Sequence, residues 1–301
     1  MTQTAPDRRV APHSESCLVC GGPLEYLDAA VDVTCGLCGA PGRGHVRCPE
    51  HHYVCESCHG AGFMALLPAL LAVAAAEGDA SPSHIANRLM DHPELPMLGC
   101  EHAHIAAGAL MTAIRVAGVA GVTEAHLAEA LERTARQAVS AYCGLTGVCG
   151  VVPALGACYS VLVGGQCGRG PQTQAAMTLV SRLAAATAAE ADPGCCKAYV
   201  RVALRETVGT LEADLGIMLP ENDQVVCHHS YRHPHGCRGS ACEWHPDHTQ
   251  ISEETHMSTT GPAAQARYDD FFSLAYADGA LSAKSKILIA LGASLASGCS
   301  P

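Results

Sequence analysis

Seven cysteines and a pair of adjacent histidines within the first sixty residues leave this chain few ways to fold its N-terminal end. They fall into four pairs: Cys17-x2-Cys20, Cys35-x2-Cys38, Cys48 with His51 or His52, and Cys55-x2-Cys58. A Cys-x2-Cys turn places two thiolates on one metal, and structural zinc is satisfied by four nitrogen or sulfur ligands with no open position. Four pairs therefore make two closed zinc sites. Residues 14–62 hold few aliphatic side chains, so metal must replace a core there. The expectation is a small zinc-ribbon or RING-like module without catalysis. Its spacing admits either an interleaved cross-brace or consecutive sites, and either His51 or His52. His45 and His59 are further candidates, read as solvated.

Beyond this module the chain should be mainly α. Hydrophobic residues make up 49% and aromatics only 4%, and the abundant Ala and Gly favour closely packed helices over a β-sandwich. Apolar periodicity with Gly and Pro punctuation predicts an α-helical body over 63–222, with helices near 63–76, 82–91, 101–118, 123–141, 150–163, 173–191 and 196–215. Ser81 before Pro82, and Thr123, are plausible caps. Residues 223–250 form a Cys/His-rich irregular segment: Cys227 to His248 packs three cysteines and six histidines into 22 residues, too polar to fold by apolar burial. A polar linker then leads to a C-terminal helical hairpin within 262–301, with Gly279 at its turn and Ser282 as a cap.

Charge narrows the function classes. The net charge is −11 with three lysines, and residues 1–62 carry four Arg against seven Asp and Glu. A nucleic-acid surface needs clustered positive charge, so no nucleic-acid partner is expected. The opening MTQTAPDRRVAPHSES has no apolar run for a signal peptide, and eighteen cysteines in an unsecreted chain point to metal or redox chemistry in the cytoplasm. The stretch from Ala138 to Gly168 is free of charge, but Pro153, its glycines and its four cysteines suit a buried helical hairpin better than a membrane span.

Several body residues have the chemistry of a site. Cys100 and His104 stand four apart at a predicted helix start, with Glu101 and His102 between them, either as a cofactor-ligand pair or as a buried thiol beside a surface imidazole. Cys143 and Cys149 are each followed by a glycine that lets the backbone approach a cluster or substrate. Cys195, Cys196 and Lys197 open another helix, where the helix dipole and the ammonium are expected to lower a thiol pKa. Cys158 and Cys167 read as small hydrophobes. Cys227, Cys237 and Cys242, with His245 close behind, fit zinc or an iron–sulfur cluster equally.

The Cys-x2-Cys pairs, CPEHHYVCESCH, GCEHAH, CGLTGVCG, PGCCK and the Cys-rich tail together resemble a family catalogued as domain of unknown function 5714, across roughly residues 16–247. The resemblance implies His52 as the ligand, and functional roles for Glu101, His102, Cys143, Cys149, Cys195, Cys196 and Lys197, without naming a reaction. Residues 262–301 are similar to the opening helices of the carboxymuconolactone decarboxylase and alkylhydroperoxidase D-like family, whose redox branch uses Cys-x2-Cys followed by His. Cys299 matches the first thiol and the chain stops at Pro301, so this part is expected to be truncated or to lack its own peroxidase activity.

Two functions from different classes follow. One is a thiol or iron–sulfur redox protein, with Glu101 and a histidine handling protons and a small-molecule or thiol partner. The other is a zinc-stabilised scaffold that forms homo-oligomers through its C-terminal helices. Convergence of the body thiols in space would favour the first.

Overall fold

A computed structural model describes residues 16–221, 225–248, 275–279 and 281–296. The described residues up to His245 make one compact unit, and those after it a second.

The first unit opens with a β-hairpin, β1 (Glu25–Thr34) and β2 (Pro41–Arg47), antiparallel with a bulge between Tyr26 and Val31. The body follows as α1 (Ala61–Ala76), α2 (Pro82–Met90), α3 (Glu101–Val116), α4 (Glu124–Ala135), α5 (Cys143–Thr146), α6 (Val151–Leu162), α7 (Gly170–Ala189) and α8 (Cys196–Leu215). Helix α3 is the axis of the core. Its sequence is apolar on every face, and nearly all of its residues are buried, as expected of a helix surrounded by others. It packs against α1, α2, α4, α6 and α8. Small residues let these neighbours come close: a side chain at Gly108 would meet Leu71 of α1.

Helix starts follow the local signals. The Ser81 hydroxyl accepts the His84 N–H at 3.2 Å, with Pro82 in the first turn. At Thr123 the backbone N–H donates to His126 Nδ1 at 3.1 Å.

Two expectations are corrected. Helix α4 ends at Ala135 rather than near 141, because Ser140 is drawn away: its N–H and hydroxyl both donate to Glu56 of the module at 2.9 Å. The charge-free stretch from Ala138 to Gly168 is not a hairpin of two full helices, since its first arm is only the single turn α5, closed by Gly147 in the left-handed region. Among the described residues no helix is long and apolar enough to cross a membrane.

Residues 225–245 are irregular apart from two short 3-10 turns, Ser230–Arg232 and Gly239–Ala241, and 246–248 are helical. In the second unit α9 (Ala283–Ala296) is capped by Ser282, whose hydroxyl accepts the Ser285 N–H at 3.2 Å, and Lys286 donates to the Ala275 and Ala277 carbonyls. Most of the expected first arm of the C-terminal hairpin, and Cys299, lie outside the described residues.

Candidate metal centres and thiol-lined cleft

The hairpin β1/β2 spaces the module's cysteine pairs so that they interleave. Cys17, Cys20, Cys48 and His52 form one group and Cys35, Cys38, Cys55 and Cys58 the other, with the ligand atoms of each within 4.8 Å of one another. First and third pairs share one site, second and fourth the other, which is a cross-brace. Sulfurs of Cys20 and Cys48 are 3.9 Å apart, those of Cys38 and Cys55 3.6 Å, and Cys48 Sγ lies 3.4 Å from His52 Nδ1. A tetrahedron built on ~2.3 Å zinc–sulfur bonds has edges of about 3.8 Å, so both groups have the dimensions to hold a single ion. Backbone N–H groups already aim at the sulfurs. Those of Cys55 and Cys38 hold the Cys35 thiol down to about 6. His51 takes a left-handed turn conformation and stays out of the group.

The second site's last ligand pair leads directly to the body. His59 Nδ1 lies 2.8 Å from Glu101 Oε1 at the start of α3, and Glu101 is buried. Gly60 and Gly99 flank that carboxylate with left-handed backbones, and a Cβ at either would overlap it. His59, expected to be solvated, is thus the joint between module and body.

Between them lies a cleft of about 1350 Å3. Cys100, Cys143, Cys149 and Cys196 line its body side, with His102 and Tyr199, while His45, His52, Tyr53 and His59 line its module side. Each of the four thiols sits at a helix start: Cys100 precedes α3, Cys143 opens α5, Cys149 comes just before α6, and Cys196 opens α8. Three full helices thus point their positive ends at the cleft, which favours negative charge there. Cys100 is tied in by its N–H to the Ser140 hydroxyl at 3.1 Å.

Burial outweighs the dipoles. It pushes Cys100 up to about 12 and Cys149 up to about 11, and raises Cys196 well above the usual thiol range despite a bond from the Gly99 N–H. Cys195 also rises by burial. The expected lowering at Cys195 and Cys196 is therefore reversed. Lys197 does not assist as expected, because its buried ammonium donates to the Met90 carbonyl at 2.6 Å, and burial pushes it down to about 8. His102 is wholly buried and held below its usual range by burial; its Nδ1 lies 3.1 Å from the Gly99 carbonyl, and its Nε2 has no hydrogen-bond partner. A carbonyl can only accept, so Nδ1 carries the proton and Nε2 keeps its lone pair.

Other expected residues fall elsewhere. His104 Nδ1 contacts the Cys100 carbonyl at 3.2 Å and is not part of the cleft lining. Cys158 is buried in the core beneath α3, and Cys167 is exposed. Cys195 turns away from the cleft toward Cys227 and Cys242. No disulfide links any of the described cysteines. Among the described residues, only the two module groups bring three or more ligand atoms within 4.8 Å. Reasoning from sequence missed Tyr199, whose one signal is its place one turn after Cys196, and the Glu56–Ser140 tie, which has no local signal.

No curated protein and no solved structure matches the chain. The matched family region starts beyond the metal module and stops before the carboxymuconolactone decarboxylase-like segment, for which no comparison gives support. A family model described as "Family of unknown function (DUF5714)" matches residues 70–245, more than half of the chain, and the chain belongs to that family.

Proposed function

We propose that this is a cytoplasmic metalloprotein in which a two-zinc module closes one wall of a redox site in the helical body, with Cys100, Cys143, Cys149 and Cys196 holding an iron–sulfur cluster. The observation that carries this reading is the convergence of four thiols, from three separate stretches of chain, on one cleft. No three of their sulfurs come within 4.8 Å of one another, unlike the module ligands, and a cluster, in which each thiolate binds a different iron, asks for no such approach. Burial keeps Cys100, Cys149 and Cys196 protonated until a metal replaces the proton, because a coordinating thiol is deprotonated outright. The helix starts around them complement the net negative charge of a thiolate-ligated cluster. A cluster at this position would supply one-electron chemistry. Glu101 and His102 would hold or accept protons beside it, and the cleft would admit a small molecule or a thiol partner. A reducing cytoplasm keeps such thiols available, and the acidic surface argues against nucleic acid.

Elemental analysis with acid-labile sulfide, on the full chain purified without air, tests this. The expected result is at least the two module zinc ions per chain plus iron and sulfide, with Cys149→Ser or Cys196→Ser losing the cleft's iron while the zinc stays. Wild-type protein without iron or sulfide would overturn it. That outcome would sustain a second reading, favoured by the single-ion spacing being confined to the module: a zinc-stabilised scaffold that assembles through its C-terminal helices.

A further inference from the structure

The segment 225–248 has little with which to hold itself in place. Its one large buried apolar side chain, Trp244, packs with Ala198 and Val202 of α8, and Cys195, Cys227 and Cys242 pack around that same small cluster. The Cys227 N–H donates to the Trp244 carbonyl at 2.7 Å, which brings the two ends of the segment together. Cys237 is near enough to feel the charges of both Cys227 and Cys242. Its sulfur accepts the Gly239 N–H at 3.4 Å, the same two-residue arrangement that Val19 makes with the ligand Cys17 at 3.4 Å in the module.

The surroundings are cationic. Lys197 is wholly buried and bonded to a carbonyl, Arg201 lies over Trp244 and donates to Asn87 Oδ1 at 2.9 Å, and Arg238 stands beside Cys242 while paired with Glu190. Among the described residues neither Lys197 nor Arg201 forms an ion pair with a carboxylate. Buried cations need a compensating anion, and four thiolates around a divalent ion or cluster keep a net negative charge.

We infer that Cys195, Cys227, Cys237 and Cys242 are the ligands of a further thiolate metal site, separate from the module and the cleft, with Cys195 in the place that spacing alone gave to His245. The vicinal pair at the start of α8 is then divided, Cys195 to this site and Cys196 to the cleft. No three of these four sulfurs lie within 4.8 Å of one another. The site therefore takes a cluster, or an ion that draws the segment inward, through the same four thiolates.

The full-length native protein, prepared without air, tests this by iodoacetamide labelling read by peptide mass spectrometry. Cys237 and Cys167 are both exposed, so Cys167 is the internal standard. Cys237 is expected to label at least about tenfold more slowly than Cys167, because a metal-held thiolate is withdrawn from alkylation. After phenanthroline treatment Cys195, Cys227, Cys237 and Cys242 should label together. Metal counts complete the test: Cys195→Ser loses one zinc, or one complement of iron and sulfide, and keeps the two module zinc ions, whereas His245→Ala loses nothing. Zinc loss identifies an ion and iron loss a cluster. Cys149→Ser, which empties only the cleft, must leave Cys237 protected; this separates the site from the cleft reading. Cys237 labelling as fast as Cys167 in untreated protein, or a full metal load in Cys195→Ser, would overturn the assignment.

Discussion

Cysteine serves opposite ends on the two walls of the cleft. In the module the sulfurs stand 3.6 to 3.9 Å apart under backbone N–H groups, and even Leu18 and Leu37 are 58% and 56% exposed. With no apolar interior, that wall is held by its ligands. On the body wall the thiols sit at helix starts above a packed core, and burial keeps Cys100 and Cys149 protonated. That wall stands without metal and presents its thiols to whatever binds. The difference shows that what surrounds a cysteine, rather than the number of cysteines, decides whether it builds the fold or uses it.

The hardest test of this contrast is Cys35→Ser. Structural zinc in small modules supplies about 10 kcal/mol or more of folding free energy, so this variant should lose the second module zinc and the module's resistance to trypsin. The helical circular dichroism of the body should persist; its collapse along with the zinc would break the contrast. The converse is Leu110→Ala in α3. Leu110 is wholly buried, and the cavity should cost about 3 kcal/mol in urea unfolding with both module zinc ions retained.

Glu101→Gln probes the joint. It keeps the volume between Gly60 and Gly99 but removes the carboxylate facing His59, at an expected cost of roughly 2 kcal/mol for a buried hydrogen bond to a charged group. Faster proteolysis between module and body would accompany that loss, and wild-type rates would show that the two walls are not joined here.

The smallest effect concerns a cysteine that does neither job. Burial pushes Cys158 up to about 12, against ~8.5 in an unfolded chain. Above pH ~9 the unfolded thiol ionises while the folded one keeps its proton, so stability from this group falls as pH rises from about 9 to 12. Between pH 8 and 9.5, wild type should lose roughly 1 kcal/mol more than Cys158→Ala in urea unfolding. Equal losses would mean that Cys158 is not the sealed hydrophobe its burial implies.

Much of the fold was legible locally. Helix α8 runs from Cys196 to Leu215 as its periodicity predicts, and α2 starts at the Ser81–Pro82 signal. The module's Cys-x2-Cys pairs were legible because two-residue turns bring their sulfurs together without help from distant chain. The early end of α4 was not, because Glu56, which captures Ser140, is 84 residues away. Nor was the chemistry of Cys195 and Cys196. A helix start and a neighbouring lysine argue for a lowered pKa, but desolvation depends on what packs over the sulfur, and Lys197 points into the core.

By itself the sequence determined a module with two groups fit to hold metal followed by a helical body, since ligand spacing, capping and apolar periodicity act over a few residues. Tertiary structure alone decided that the module's pairs interleave, and it places in the group the His52 that the family resemblance implied. It also sent Cys196 to the cleft, Cys195 to the tail and Cys158 to the core. Those outcomes depend on contacts between segments tens of residues apart, where burial and charge are set by the partner that packing supplies rather than by the neighbours in the chain.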